Sequence, residues 1–511
     1  MPGSSSRPGL QVAAAVVAAV VLLPIVVTVG RGAAVGWSEA VAYLVRPRIG
    51  MLLANTAVLT AITVPLSVAL GTGAAWLVER TDLPGAGAWR ALMLAPLAVP
   101  AFVSSYAWVS WQPGLVGLGG AALVTTLAYF PFVFLPVAAL LRALDEGEEE
   151  AARSLGLGPF AAFRRAVLPR LRPAVSGGAL LVALHLLAEY GVLAMMRYQT
   201  FTTAILQQYA VGFSDAQGSL LASVLLLLCL GVLTLEVVAR GRRRVARIGS
   251  GSMRPPSRVP LGSWRWPALA GLAALAALST AVPVILVLRW LVVGTSQSGA
   301  VADDLMRVTA STLGLAVLGG LTAVVLALPG ALLLSRGGGW IATLLERATF
   351  VGSALPGVVV ALALVGLAVS WAPGLYQTVA LVVVAYAVLF LPRAMVSLRS
   401  GLAAAPPELS EAARSLGQGG AGVLRRVVLP LAAPSVLAGF VLVALAISTE
   451  LTATLLLAPT GTDTLALSFW AASDELDYAA AAPYAAVMIV LSIPLTVVLR
   501  RQITHDRRAT R

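Results

Sequence analysis

Apolar runs of about twenty residues recur from one end of the chain to the other, each bounded by charge, Gly, Pro or Trp. They fall near residues 11–29, 53–78, 89–110, 117–141, 174–196, 217–239, 266–292, 309–335, 347–371, 375–398, 434–457 and 479–499. A helix rises 1.5 Å per residue, so each run suffices to cross about 30 Å of hydrocarbon. The pattern predicts an all-α, polytopic membrane protein of about twelve transmembrane helices. No apolar-poor stretch between the runs is long enough to fold independently. The first run, Val12 to Val29 after Arg7, is longer than a usual signal-peptide core and lacks a clear A-x-A site. It therefore reads as the first membrane anchor.

The chain repeats itself. EAARSLG at Glu150 to Gly156 recurs letter for letter at Glu411 to Gly417, an offset of 261. The same offset pairs Arg164-Arg165 with Arg425-Arg426, Leu168-Pro169 with Leu429-Pro430, and Pro173 with Pro434. Two halves follow, 1–239 and 265–511, each with six spans. Six is even, so both halves enter the membrane in the same direction and form a parallel repeat about an axis normal to the bilayer. Between them, 240–264 opens with Arg240-Gly-Arg-Arg-Arg-Val-Ala-Arg247 and continues as a Gly/Ser/Pro stretch through Pro260. That composition predicts a flexible basic linker, drawn to anionic lipid at the inner leaflet.

Composition narrows the function classes. Hydrophobic residues make up 59% and charged residues 11% of 511 positions, and the net charge is +13. All 35 basic residues are Arg. Without Lys, the P-loop pattern ending in Gly-Lys-Ser/Thr cannot exist, which excludes a conventional P-loop ATPase in this chain. With the N-terminus inside, 29 of the 35 Arg fall in inside segments; this bias sets both termini in the cytoplasm and accounts for the positive charge without nucleic acid. A single cysteine, Cys229, excludes an intramolecular disulfide or a CxxC site and reads as a packing thiol.

The repeated segment between the fourth and fifth spans of each half, 143–173 and 400–433, is the most specific motif. Glu150-Ala-Ala-Arg-Ser-Leu consists mostly of strong helix formers, Gly156 permits the left-handed turn that ends a helix, and Pro159 then begins a second. A compact two-helix hook results. Small Ala151 and Ala152 allow close approach to a partner groove, and Arg153, Arg164 and Arg165 offer ionic contacts. The pattern of EAA, Gly six positions after the Glu, and an apolar residue and Pro twelve and thirteen after the Gly resembles the EAA loop of bacterial ABC-importer permeases. The resemblance covers essentially the whole chain. It implies the type I permease fold and two ATPase subunits gripped through Glu150, Ala151, Ala152, Gly156, Leu168 and Pro169 in one hook and Glu411, Ala412, Ala413, Gly417, Leu429 and Pro430 in the other. It further implies an extracytoplasmic substrate-binding protein, and no cofactor on this chain, with ATP and Mg on the partner ATPase.

Glu189 and Glu450 form the second constellation, again at offset 261 and twenty residues beyond the hook Pro. That places a carboxylate deep in, or near the outer part of, the fifth span of each half. A charge there costs about 2.5–3.5 kcal/mol on insertion scales, so it faces a polar cavity or a partner. Hydroxyl-rich segments follow: Tyr198 to Ile205 aligns with Pro459 to Ala466. His185 lies one turn before Glu189 but meets Ala446 in the repeat, which favours packing. The candidate pathway set is Glu189, Tyr190, Thr203, Glu450, Thr454 and Thr464.

The stretch from Glu450 to Ala466, and Glu189-Tyr-Gly with Gln199 to Ile205, are similar to the corresponding regions of fused ferric-iron permeases. Ferric iron is a hard trivalent cation that prefers carboxylate and phenolate oxygens, so Glu189, Tyr190 and Glu450 suit transient contact with it. Helix capping, or pairing with an Arg, accounts for the same carboxylates equally well. Thiamine, phosphonate and polyamine permeases share the architecture. An ion-coupled secondary transporter also combines twelve helices with intramembrane carboxylates, but the duplicated hook argues against it.

Overall fold

The computed structural model describes residues 8–144, 154–158, 161, 165, 167–212, 215–240, 258–294, 298–335, 340–403 and 407–505. These residues are helical, with no named strand among them. In the first half the helices that matter for the site are α1 (Pro8–Ala34), α2 (Pro47–Arg80), α3 (Ala86–Leu94), α4 (Ala101–Trp111), α5 (Gly117–Tyr129), α6 (Pro131–Ala143), α7 (Leu168–Ala188), α8 (Gly191–Met195) and α9 (Asp215–Arg240). The second half supplies α10 (Arg265–Ala276), α11 (Val282–Gly294), α12 (Ser298–Ser335), α13 (Trp340–Gly352), α14 (Gly357–Trp371), α15 (Val379–Ala403), α16 (Pro407–Ser415), α17 (Leu429–Ser448), α18 (Thr452–Leu457) and α19 (Tyr478–His505).

Among the described residues nine helices are long and apolar enough to cross a membrane, two bent helix pairs pass the same test, and Tyr478–Pro494 is a shorter apolar helix. Together these coincide with the twelve runs in the sequence, but two expectations need correcting. The third span of each half is not one straight helix: residues 86–98 and 101–111 meet at 87°, and Trp340–Gly352 and Gly357–Trp371 at 109°. Both breaks are built by proline. Val99, preceding Pro100, is extended because a proline ring crowds an α-conformation in the residue before it, and Pro100 and Pro356 themselves stand with extended ψ at the N-caps of α4 and α14. The fifth span is also interrupted. It ends at Ala188 in the first half and at Ser448 in the second, and a separate short helix, α8 or α18, follows each end.

Two compact units divide the chain. The amino-half unit comprises Pro47–Thr203, Leu228–Thr295 and Leu476–Arg511, and the carboxy-half unit comprises Met1–Arg46, Ala204–Leu227 and Ser296–Glu475. Covalent halves and packed units are thus different partitions: α1 packs within the carboxy-half unit against α12, α13 and α14, while α10 and α11 pack within the amino-half unit.

Two glycine notches seat α1. A Cβ on Gly352 would lie 2.4 Å from Val21, and one on Gly366 would lie 2.3 Å from the Arg31 guanidinium. Arg31 uses that space to donate to the Gly366 carbonyl (2.7 Å) and to Ser370 Oγ (2.8 Å). Matching Pro24 to Pro283 sets Arg31 opposite Trp290. In the amino-half unit Trp290 Nε1 donates to Ser110 Oγ (3.0 Å) at the end of α4. Both first helices of the repeat are therefore pinned to a serine on the helix beyond a third-span break.

The last linker residues are not free coil. Val259 pairs with Thr81 as an isolated parallel bridge, and Asp82 accepts from the Leu261 amide (3.0 Å). Arg265 donates to the Asp82 carbonyl (3.0 Å). The backbone groups of 80–82 offer partners that a Gly/Ser composition cannot supply to itself, which fixes this end of the linker. Residues 241–257 lie outside the described residues.

The helices that enter and leave each hook pack along one another. In the amino-half unit a Cβ on Gly178 of α7 would lie 2.8 Å from Val133 Cα of α6; in the carboxy-half unit one on Gly439 of α17 would lie 2.4 Å from Ser397 Cβ of α15. Gly178 and Gly439 are repeat equivalents. Membrane helices gain their association from such close backbone approach. Gly439→Ala is expected to destabilise the protein by about 1–3 kcal/mol through overpacking. Thermal unfolding in detergent measures the loss, and adding Ser397→Gly should recover most of it.

Candidate coupling hooks and helix breaks

The second hook shows how the motif folds. Helix α16 carries Glu411, Ala412 and Ala413 and ends in a left-handed turn at Gly417, φ +79°. The Gly417 amide donates to the Arg414 carbonyl (3.0 Å), and the Gln418 amide to the Ala413 carbonyl (3.1 Å). These bonds satisfy carbonyls that the helix end would leave bare. Glu411 and Ala412 face solvent and Ala413 is buried. Leu429 and Pro430 begin α17 directly after the π-turn Leu424–Val428.

In the first hook Gly156 takes the same left-handed conformation, φ +84°, and Leu168 and Pro169 open α7 in the same register. Glu150, Ala151 and Ala152 lie outside the described residues, as do Arg153, Pro159 and Arg164. Sequence reasoning missed one feature of both hooks. The leucine before each glycine stands in the open, Leu155 84% and Leu416 81% exposed. Its signal was present, since an apolar letter inside a polar repeat has no core to join.

Each carboxylate sits at a helix break. Glu189 follows the last residue of α7, and its Oε1 accepts from the Val192 amide (3.0 Å) in the first turn of α8. Its Oε2 accepts from the Tyr129 hydroxyl at the end of α5, and its main-chain carbonyl accepts from Thr202 Oγ1 (2.6 Å). Glu450 repeats the plan between α17 and α18. Its Oε1 accepts from the Ala453 amide (2.9 Å), and its Oε2 from the Thr454 amide (3.0 Å) and Thr454 Oγ1 (2.8 Å). Thr454 Oγ1 in turn lies 2.6 Å from the Tyr386 hydroxyl of α15. A carboxylate can only accept, so the chain of donors runs from Tyr386 through Thr454 to Glu450.

Negative charge at a helix N-terminus is favoured by bare amides and by the dipole. In the carboxy-half unit a second terminus converges on the same group: a Cβ on Gly357, the first residue of α14, would lie 3.0 Å from Glu450 Oε1. Glu189 and Glu450 are both half-buried.

The candidate pathway residues are brought together only in part. Glu450 and Thr454 share one network, and Tyr190 is the N-cap of α8 beside Glu189. Thr203 instead closes its own turn, accepting from the Thr200 amide (2.8 Å) and donating to the Thr200 carbonyl (3.0 Å). Thr464 caps the helix Leu465–Asp474 by accepting from the Leu467 amide (3.3 Å). His185 stacks on Phe132 at 4.3 Å and on Tyr129 at 5.8 Å, and its Nδ1 lies 2.8 Å from the Leu181 carbonyl. Tyr129, Tyr386, Thr202 and Gly357 were not singled out in the sequence.

The model of the binding-protein-dependent transport system inner membrane component matches residues 67–247 and again 319–510. The Fe(3+)-transport system permease protein FbpB 2 of Haemophilus influenzae is 35% identical over 472 residues, 92% of this chain and 93% of the relative. Shorter likenesses reach sulfate transport system permease proteins: CysW of Synechocystis sp. is 31% identical over 28% of this chain and 56% of its own length, and CysT of Salmonella typhimurium 26% identical over 44% and 90%.

Proposed function

Since the chain belongs to the family of binding-protein-dependent transport system inner membrane components, we propose that it is the permease of an ATP-driven importer of ferric iron, fed by an extracytoplasmic ferric-binding protein. The observation that carries the coupling half of this reading is the duplicated hook, with a left-handed glycine and a bare leucine in each copy. Full-length likeness to a ferric permease supports the cargo. Two hooks call for two ATPase subunits, which hold the ATP and Mg and hydrolyse the nucleotide. Both termini and both hooks face the cytoplasm, in keeping with the Arg distribution.

In this reading a loaded binding protein docks outside, ATP closes the two ATPases, and the hooks carry that motion to the helices. Glu189, Tyr190, Thr203, Glu450, Thr454 and Thr464 border the path. The carboxylates meet the cation only in passing, because their oxygens are already engaged with helix amides in the state described here.

Reconstitution with the cognate ATPase and binding protein tests the proposal. Ferric-loaded binding protein is expected to stimulate ATP turnover. Stimulation by a thiamine-loaded protein instead would reassign the cargo, and uptake driven by an ion gradient without the ATPase would overturn the coupling.

An exposed leucine that fills a partner groove contributes more than 1 kcal/mol when it belongs to the hot-spot minority. Leu155→Ala and Leu416→Ala are each expected to weaken ATPase binding about tenfold. Titration of the detergent-solubilised permease with purified ATPase subunit measures it.

A further inference from the structure

We propose that Tyr129 and Tyr386 are positioning residues for transport. Each ties the span entering a hook, Gly117–Ala143 or Val379–Leu402, to the carboxylate-capped break at the far end of the helix leaving it, so that hook and break move as one body. The inference rests on the hook reading above.

Three observations carry it. First, the two arms of each hook cannot slide easily past one another, because Gly178 and Gly439 bring the leaving helix to within one Cβ of the entering one. Second, the tyrosine lies on the entering span beyond that crossing. Tyr129 bonds the Glu189 carboxylate directly, while Tyr386 reaches the Glu450 carboxylate through Thr454. Both rings are buried, Tyr129 at 6% and Tyr386 at 1% exposure, so neither hydroxyl has bulk water as a ready alternative partner. Third, the link is built from different letters in the two copies. At offset 261 Tyr129 aligns with Phe390 and Tyr386 with Thr125. One half places its phenol a helical turn away from where the other does, and yet each arrives at the same carboxylate. Simple inheritance of a packing residue would have put the tyrosines in register.

The carboxylate holds the first turn of α8 or α18 through backbone amides. A hook displacement delivered through the tyrosine therefore acts on the start of that short helix. Without the hydroxyl, the arm moves and the break lags behind.

The test uses the whole transporter in proteoliposomes, with its ATPase and binding protein, following uptake of radioactive ferric iron and ATP turnover together. Tyr129→Phe and Tyr386→Phe preserve ring packing. Losing one hydrogen bond to a charged group corresponds to about tenfold in an equilibrium, so the double variant is expected to lose about tenfold in iron taken up per ATP, with ATP turnover within about twofold of wild type. An unchanged ratio, or equal losses in both quantities, overturns the proposal. Combining Tyr386→Phe with Phe390→Tyr moves the phenol to the register of Tyr129. Recovery of the ratio supports the link; loss in Tyr386→Phe without recovery in the pair overturns it. Failure of the ferric reading is distinguishable, because wild type itself would then show no stimulated uptake.

Discussion

Replacing Gly156 and Gly417 together by valine is expected to abolish ATP-dependent uptake, to below about one hundredth of wild type, while leaving membrane insertion intact. Both glycines hold φ near +80°, and a side chain there costs about 1–2 kcal/mol per residue, more with a branched Cβ. Among the described residues nothing lies within 4 Å of a Cβ built on either glycine, so the expected effect is conformational and not a clash. The valine is accommodated by unwinding the turn, which displaces the exposed Leu155 and Leu416 that precede the two glycines. Two such distortions in series, about 3 kcal/mol in all by the same estimate, correspond to more than a hundredfold in a docked population. Iron uptake in proteoliposomes and co-purification of the ATPase with the permease are the measurements. Uptake above one tenth of wild type, or undiminished co-purification, would show that the turn is not what the partner reads.

The second large effect concerns assembly. When residues 1–250 and 251–511 are produced as separate chains, neither is expected to accumulate alone, and the two together are expected to co-purify as an active permease. The carboxy-half unit draws α1 from the first half, and the amino-half unit draws α10, α11 and α19 from the second. A lone first half would leave α3 and α4 without α10 and α11, and α1 would keep its Arg31 guanidinium without the Gly366 carbonyl and Ser370. Losing these two acceptors comes on top of losing α12, α13 and α14, against which α1 packs. Accumulation of either fragment at more than about a tenth of the intact chain's level, judged by blotting of membranes against the usual several-fold effect of 1–2 kcal/mol on abundance, would refute the interdependence.

Much of this architecture was legible in the residues. Run length alone located an apolar helix or bent helix pair at each of the twelve places, nine of the helices long enough to cross a membrane by themselves, and the hooks were found because seven letters recur at a fixed offset. The kinks of the third spans were signalled by Pro100 and Pro356 but lay inside runs that hydropathy reads as continuous. Hydropathy measures the preference of a segment for lipid and says nothing about the direction of its axis. Packing partners were not legible. Since α1 is apolar nearly all round, no face of it advertises α13 or α14, and the match depends on notches at Gly352 and Gly366 that only three-dimensional placement reveals. The carboxylates were found by their charge, but their tyrosines were hidden by the repeat itself. Letter matching at offset 261 sets Tyr129 against Phe390 and so discards the pair. Thr203 and Thr464, chosen for their hydroxyls, also close a turn and cap a helix, a local role that charge and hydropathy do not reveal.

The seating of α1 also sets a timetable for biosynthesis. Arg31 and its acceptor Gly366 stand 335 residues apart in the chain. At about 5–20 residues per second the ribosome delivers the acceptor roughly 20–70 seconds after the arginine. Throughout that interval α1 waits in lipid without its acceptor, and a surface almost free of charge lets it wait there.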